Sequence, residues 1–159
     1  MRNTLLSLTL LGLLSPIVVA QAEDKIDFYK QVYPFVKSGC VKCHSPEYAD
    51  EGGRTRRPKA DLIITSPEAF MKGGESGVVL VAGKPEESEF LRRTLLPLDD
   101  EDHQPVEGKA PQWTDAEKEL FAKWITEGAN FGEWKGDDKP QEGIEWDGKE
   151  KAAGTIQTW

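Results

Sequence analysis

The sequence predicts an all-α domain on two observations. Apolar side chains recur at helical spacing in three separate stretches, and capping residues, glycines and prolines stand where those stretches start and stop. The first stretch runs from Asp24 to Ser38, where Ile26, Phe28, Tyr29, Val32, Tyr33, Phe35 and Val36 share the spacing, Asp24 offers a cap and Gly39 a stop. Pro34 lies inside it without a backbone N–H, so it kinks this helix or ends it early. From Ser45 to Lys59, with Gly52-Gly53 and the basic cluster Arg54, Arg56 and Arg57, there is no apolar periodicity, which reads as a surface loop. Ala60 to Thr65 is short and apolar. Ser66-Pro67-Glu68 then supplies an N-cap, a first-turn proline and an acid for a brief helix through Met71, closed by the turn Gly73-Gly74-Glu75-Ser76-Gly77.

Val78 to Ala82 leads through Gly83-Lys84-Pro85 into a second amphipathic helix of about three turns over Glu86 to Leu95, with Phe90, Leu91, Thr94 and Leu95 on one face. The acidic, proline-bounded segment Pro97 to Pro105 cannot be a regular core element and reads as a loop. Thr114-Asp115-Ala116-Glu117 is a capping-box pattern, and Leu120, Phe121, Trp124 and Ile125 form the apolar stripe of a final helix that Gly128 stops. Phe28, Phe35, Phe90, Leu91, Leu120, Phe121 and Trp124 are the expected core, with Trp113 a candidate either for a staple at the head of the last helix or for a place over the edge of a bound cofactor. Beyond Trp134 the chain turns to Gly, Asp, Lys, Glu and Pro, with Ile144, Trp146, Ile156 and Trp159 as isolated apolar anchors, an irregular tail expected to be extended or partly disordered.

The 159 residues, 38% hydrophobic and 30% charged, suit one compact domain and are short for two. A formal charge of −8 without any basic run argues against a nucleic-acid partner or an anionic-lipid patch. Residues 1–22 carry Arg2, an apolar run from Leu5 to Ala20 and the small-residue end Ala20-Gln21-Ala22, the pattern of a cleaved secretory signal peptide. The alternative, a membrane anchor, is weakened by Ser7, Thr9, Gly12, Ser15 and Pro16 inside the run and by Glu23-Asp24 directly after it. The expected organisation is therefore a signal peptide over 1–22, a domain over 23–134 and a polar tail over 135–159. The mature chain would be acidic, without a transmembrane segment, and periplasmic or otherwise exported.

With two cysteines, whatever the thiols do is done by one pair. Cys40-Val41-Lys42-Cys43-His44 is C-x-x-C-H, the spacing at which two thiols on one short turn each add across a vinyl group of haem, while the next imidazole becomes the proximal iron ligand. Three other readings compete. A thioredoxin-like pair expects a strand before the motif and a helix opening at the first cysteine, whereas here a helix ends there. A zinc site would need His103 or an acid as fourth ligand to Cys40, Cys43 and His44. A structural disulfide across two residues would be strained.

Beyond the motif, the runs Val32-Tyr33-Pro34-Phe35-Val36, Lys72-Gly73-Gly74-Glu75-Ser76-Gly77, Ala82-Gly83-Lys84-Pro85-Glu86-Glu87-Ser88, Asp100-Glu101-Asp102-His103 and Trp124-Ile125-Thr126-Glu127-Gly128-Ala129 together make the chain resemble the planctomycete-type cytochrome c domain over roughly residues 26–131. The resemblance implies a class I-like helical domain around one covalently bound haem c per chain, with Cys40 and Cys43 as thioether donors and His44 as axial ligand. In that family the acidic loop continues into Met-Pro-Pro, whose methionine is the expected sixth ligand; here the matching residues are Gln104-Pro105-Val106. His103 is then the leading distal candidate, with Met71, Gln104, water or an open position as alternatives.

The function implied is one-electron carriage or electron acceptance for periplasmic redox proteins or oxidoreductases, and no residue pair suggests separate enzymatic catalysis. The alternative is a haem-based sensor of small ligands, or a weak peroxidase, with an open or displaceable distal site. Arg54, Arg56 and Arg57 read as a solvated loop or as a partner for a propionate or an acidic protein. Asp99 to Asp102 read as a solvated surface or a steering patch for a basic partner. The tail, with Trp146 and Trp159, is a candidate dock for a larger enzyme.

Overall fold

A computed structural model describes residues 25–144. The predicted signal peptide, Asp24 and the tail anchors Trp146, Ile156 and Trp159 lie outside the described residues.

Pro34 shapes the first helix. Without its N–H, and with its ring crowding the preceding turn, the ordinary α-ladder cannot run through it. The chain passes instead through a π-helical turn, Phe28–Val32, an α-helical turn α1, Tyr33–Val36, with Pro34 near its start, and a second π-helical turn, Lys37–Val41. The Tyr33 N–H donates to Phe28 O, five residues back. The helical path therefore neither stops at Pro34 nor at Gly39, and it carries Cys40 in its last turn. Its cap is Asp27, whose carboxylate accepts from the Lys30 N–H at 3.1 Å.

The all-α expectation is not met: the chain is mixed, with short helices, a small antiparallel sheet and long irregular stretches. Strands β1, Tyr48–Ala49, and β2, Thr55–Arg56, pair where a loop was expected, with Tyr48 opposite Arg56 and Ala49 opposite Thr55. No apolar alternation drives this pairing. Asp50 does, accepting at Oδ1 from the N–H groups of Gly52 (3.0 Å) and Arg54 (2.9 Å) while Oδ2 meets Arg54 and Arg56 at 3.2 and 2.7 Å. Arg57 pairs with Glu47, so the basic cluster is held within the hairpin region.

The expected helix over Glu86 to Leu95 is split as well, into a 3₁₀ turn, Pro85–Glu87, and α3, Glu89–Leu95. Ser88 between them is fully buried and extended; its Oγ accepts from the Val81 N–H at 2.9 Å and donates to Lys84 O at 2.9 Å. Those bonds compete with a continuous helical ladder.

Two helices follow their sequence signals closely. In α2, Pro67–Lys72, the Ser66 side chain caps the Ala69 N–H. In α4, Asp115–Thr126, Thr114 and Glu117 complete the capping box in both directions. After α2, Gly73 adopts a φ of +80°, and a Cβ there would lie 2.0 Å from Gly77 O; one on Gly74 would lie 2.4 Å from Ala60 O. The double glycine thus lets its turn sit directly on the 3₁₀ turn Lys59–Asp61 and on Leu62 after it, with Glu75 N–H donating to Ala60 O at 2.7 Å.

The helix α4 crosses the N-terminal helical path and packs beside α3. Phe28 meets Trp124 (4.7 Å between ring centroids), Phe131 (4.7 Å) and Trp134 (5.0 Å); Trp113 meets Phe35 (4.8 Å) and Phe121 (5.1 Å). Phe121 joins the two groups through Trp124 at 5.3 Å. Burying each such ring contributes roughly 2 to 3 kcal/mol, which is how short helices are held without a long ladder. Leu120 is only partly buried and Tyr29 is exposed.

The expected tail is packed as far as it is described. Asp137 accepts from Lys37 Nζ (2.7 Å) and the Tyr33 hydroxyl (3.1 Å), and its N–H donates to Thr65 O at 2.9 Å. Ile144 packs against the core. Among the described residues no helix is long and apolar enough to cross a membrane.

Candidate haem-binding site

The C-x-x-C-H motif prolongs the end of the first helix by one turn. Cys43 N–H donates to Cys40 O at 3.1 Å, and His44 N–H donates to Cys40 O and Val41 O at 3.0 and 3.2 Å. The carbonyls of the motif are then taken up by the returning chain: Lys59 N–H donates to Cys43 O at 2.8 Å and Ile64 N–H to His44 O at 3.0 Å. This is the segment braced by the double-glycine turn. On the opposite side the tail reaches back, with the Gln141 amide donating to Ser45 Oγ and to Val41 O. The motif is therefore held between two layers of chain.

Cys40 is buried, Cys43 is exposed and both thiols are free. Burial, and next the neighbouring Cys43, push the Cys40 thiol well above its ordinary value. A redox-active pair needs the reverse, a thiolate favoured at a helix N-terminus, so the geometry disfavours the thioredoxin-like reading. No disulfide joins the pair. Among the described residues no three His, Cys, Asp or Glu side chains gather as a metal cage requires, so the donor set of the zinc reading is not assembled.

Burial also lowers the pKa of His44, outweighing the backbone groups of Leu62 and Lys59, and so keeps the imidazole neutral, the form that ligates a metal. Its Nδ1 is buried without a hydrogen-bond partner, as is the Nε1 of Trp113. Trp113 stands against Gly39, the residue before the motif: a Cβ on Gly39 would lie 2.9 Å from that Nε1. Two free thiols, a neutral imidazole and buried polar atoms the protein leaves unsatisfied are a donor set that fits a haem.

The distal candidates lie elsewhere and are differently held. His103 is buried, with Nδ1 2.9 Å from Leu96 O and Nε2 2.7 Å from Gln112 Oε1. Gln104 is half-buried, and its N–H donates to Arg93 O at 3.0 Å. Met71 is exposed on α2, whose inward residue is Phe70. Gln112 and Gln141 carry no sequence signal, since a lone amide in a loop has neither periodicity nor motif, and their partners lie 7 to 100 residues away.

No curated protein and no solved structure matches the chain significantly. Residues 40–102 match the family model described as planctomycete cytochrome C. The match begins at the first cysteine and ends one residue before His103, where the chain departs from the Met-Pro-Pro pattern; the flanks of the sequence resemblance lie outside it. Over residues 40–102 the chain is similar to the planctomycete cytochrome C family.

Proposed function

We propose that this protein is an exported electron carrier holding one covalent haem c, which takes up and passes on single electrons for periplasmic oxidoreductases. The observation that carries the reading is the C-x-x-C-H turn at the end of a helix, with both thiols free and the following imidazole neutral, half-buried and with its Nδ1 sealed from solvent. Cys40 and Cys43 would form the two thioethers and His44 the proximal bond. The group supplies a one-electron iron couple when bound. The chain binds and orients it: the layers around residues 40–44 hold the turn, and the aromatic core excludes water beside it. The domain would span 23–134 after loss of residues 1–22.

The test is expression in a host able to attach c-type haem. The mature chain should begin after Ala22, keep its haem through denaturing electrophoresis with one haem mass per chain, and show a reversible one-electron reduction. Cys40→Ala with Cys43→Ala together should lose the haem under the same denaturation. A wild-type protein whose haem washes out would refute covalent attachment.

A further inference from the structure

Residues 42–59 hold five cations, Lys42, Arg54, Arg56, Arg57 and Lys59, against three acids, Glu47, Asp50 and Glu51, so the stretch is net positive in a chain of formal charge −8. The fold gathers those charges beside the C-x-x-C-H turn. The Tyr48 hydroxyl of β1 donates to Lys42 O at 3.2 Å, Tyr48 stands opposite Arg56 on β2, and the Lys59 N–H donates to Cys43 O at 2.8 Å. The hairpin and the chain leaving it are thus pinned to Lys42 and Cys43, the two exposed residues of the motif.

The acids of the segment do not cancel its cations. Arg54 and Arg56 both meet the single oxygen Asp50 Oδ2, at 3.2 and 2.7 Å, so two guanidiniums share one carboxylate. Arg57 and Glu47 pair at 3.0 Å with both side chains more than half exposed, a contact that a competing carboxylate replaces at small cost. The Lys42 and Lys59 side chains are exposed and make no ion pair among the described residues. Like charges gathered on one face repel one another and draw in opposite charge, and arginine's planar fork matches a carboxylate. A long polyanion such as a nucleic acid, or an anionic membrane, would run past the patch onto the negative remainder of the chain. The acidic face of a folded protein need cover only the patch, and the charge asymmetry of the chain would orient it on approach.

We propose that the face formed by Lys42, Arg54, Arg56, Arg57 and Lys59 beside Cys43 is a docking surface for the acidic face of a partner protein. It sets that partner against the exposed edge of the C-x-x-C-H turn. The surface stands on the chain's own charges, whereas its use in electron exchange rests on haem attachment through Cys40, Cys43 and His44.

The experiment acetylates the lysines of the haem-loaded full chain with and without a poly-glutamate peptide and reads each site by mass spectrometry. At low salt poly-glutamate should slow acetylation of Lys42 and Lys59 at least about threefold, and the protection should vanish at high salt. Lys135, exposed beside Trp134, whose ring meets Phe28 at the start of the first helix, should react at an unchanged rate. Arg54→Gln with Arg57→Gln should raise the poly-glutamate concentration needed about tenfold. Lys42→Gln, which breaks no bond of the hairpin, should raise it about threefold as read at Lys59 and keeps the test valid if the arginine variant opens the hairpin. Equal acetylation with and without the peptide overturns the proposal, as does protection that includes Lys135. A single-stranded oligonucleotide or phosphatidylglycerol vesicles protecting the two lysines at lower concentration than poly-glutamate would assign the face to a nucleic acid or a membrane and overturn it too. Haem lost when the same sample is denatured refutes covalent attachment and leaves the footprint to decide the surface, whereas retained haem without a footprint overturns the surface alone.

Discussion

Two buried tryptophans separate what a ring contributes from what its N–H contributes. Trp124 donates from Nε1 to Asn130 O at 2.8 Å, whereas the Trp113 Nε1 is buried without an acceptor. Replacement by phenylalanine removes similar apolar area at both, but only at position 124 does it break a hydrogen bond. Trp124→Phe should therefore cost about 1 kcal/mol more than Trp113→Phe, read from the denaturant midpoints of the apo chain. Equal losses would mean that the Asn130 bond adds nothing. At this scale the cysteines and His44 were legible, because their chemistry is written in local spacing. The hold of Gln112 on His103 was not, because it depends on where two loops meet.

At the scale of elements, the capped helices were legible and the hairpin and the π-helical turns were not. A cap acts within four residues, so Thr114 and Glu117 could be read directly. The hairpin rests on one carboxylate, Asp50, and its arginines, and the π turns on how the chain accommodates Pro34. The helix α3 offers a test of electrostatics. Glu89 accepts from Arg92 at 2.5 and 2.7 Å and from Arg93 at 2.8 Å, and the Arg92 hydrogen bonds foremost, against the opposing effect of burial, pull its carboxyl down to about 2. A folded pKa below the unfolded value means the carboxylate stabilises the fold fully above the ordinary glutamate range, and the contribution fades as pH falls from about 4.5 towards 2. The side chain is one-third exposed, so the contribution should stay below about 1 kcal/mol. Thermal melts of wild type and Glu89→Gln should differ at pH 7 and converge near pH 2; a constant difference would point to packing instead.

For the whole molecule the decisive feature is the strap at residues 136–141, which joins the first helix, the segment before α2 and the C-x-x-C-H turn. Burial alone would raise the Asp137 carboxyl, but the hydrogen bonds and charge of Lys37, with the Lys139 N–H and the Tyr33 hydroxyl, hold it below its usual range. Burial, and next Asp137, push the Tyr33 hydroxyl up, so it remains a donor. The Lys37–Asp137 pair is about four-fifths buried on each side. Asp137→Asn should cost about 1 to 3 kcal/mol and should open Lys135 and Lys139 to trypsin while α4 stays protected. Unchanged cleavage at those lysines would show that the strap is held by something other than Asp137.

The sequence by itself determined the C-x-x-C-H motif and the starts of α2 and α4, because a paired-thiol motif, a glycine-rich turn and a helix cap each depend on residues within a few positions of one another. Tertiary structure alone decided that the fold is mixed, that the tail returns to brace the motif and that the His103 ring sits between Leu96 O and Gln112 Oε1. Those outcomes rest on hydrogen bonds and packing between segments far apart in the chain, where a side chain's partner depends on which backbone group is left unpaired beside it.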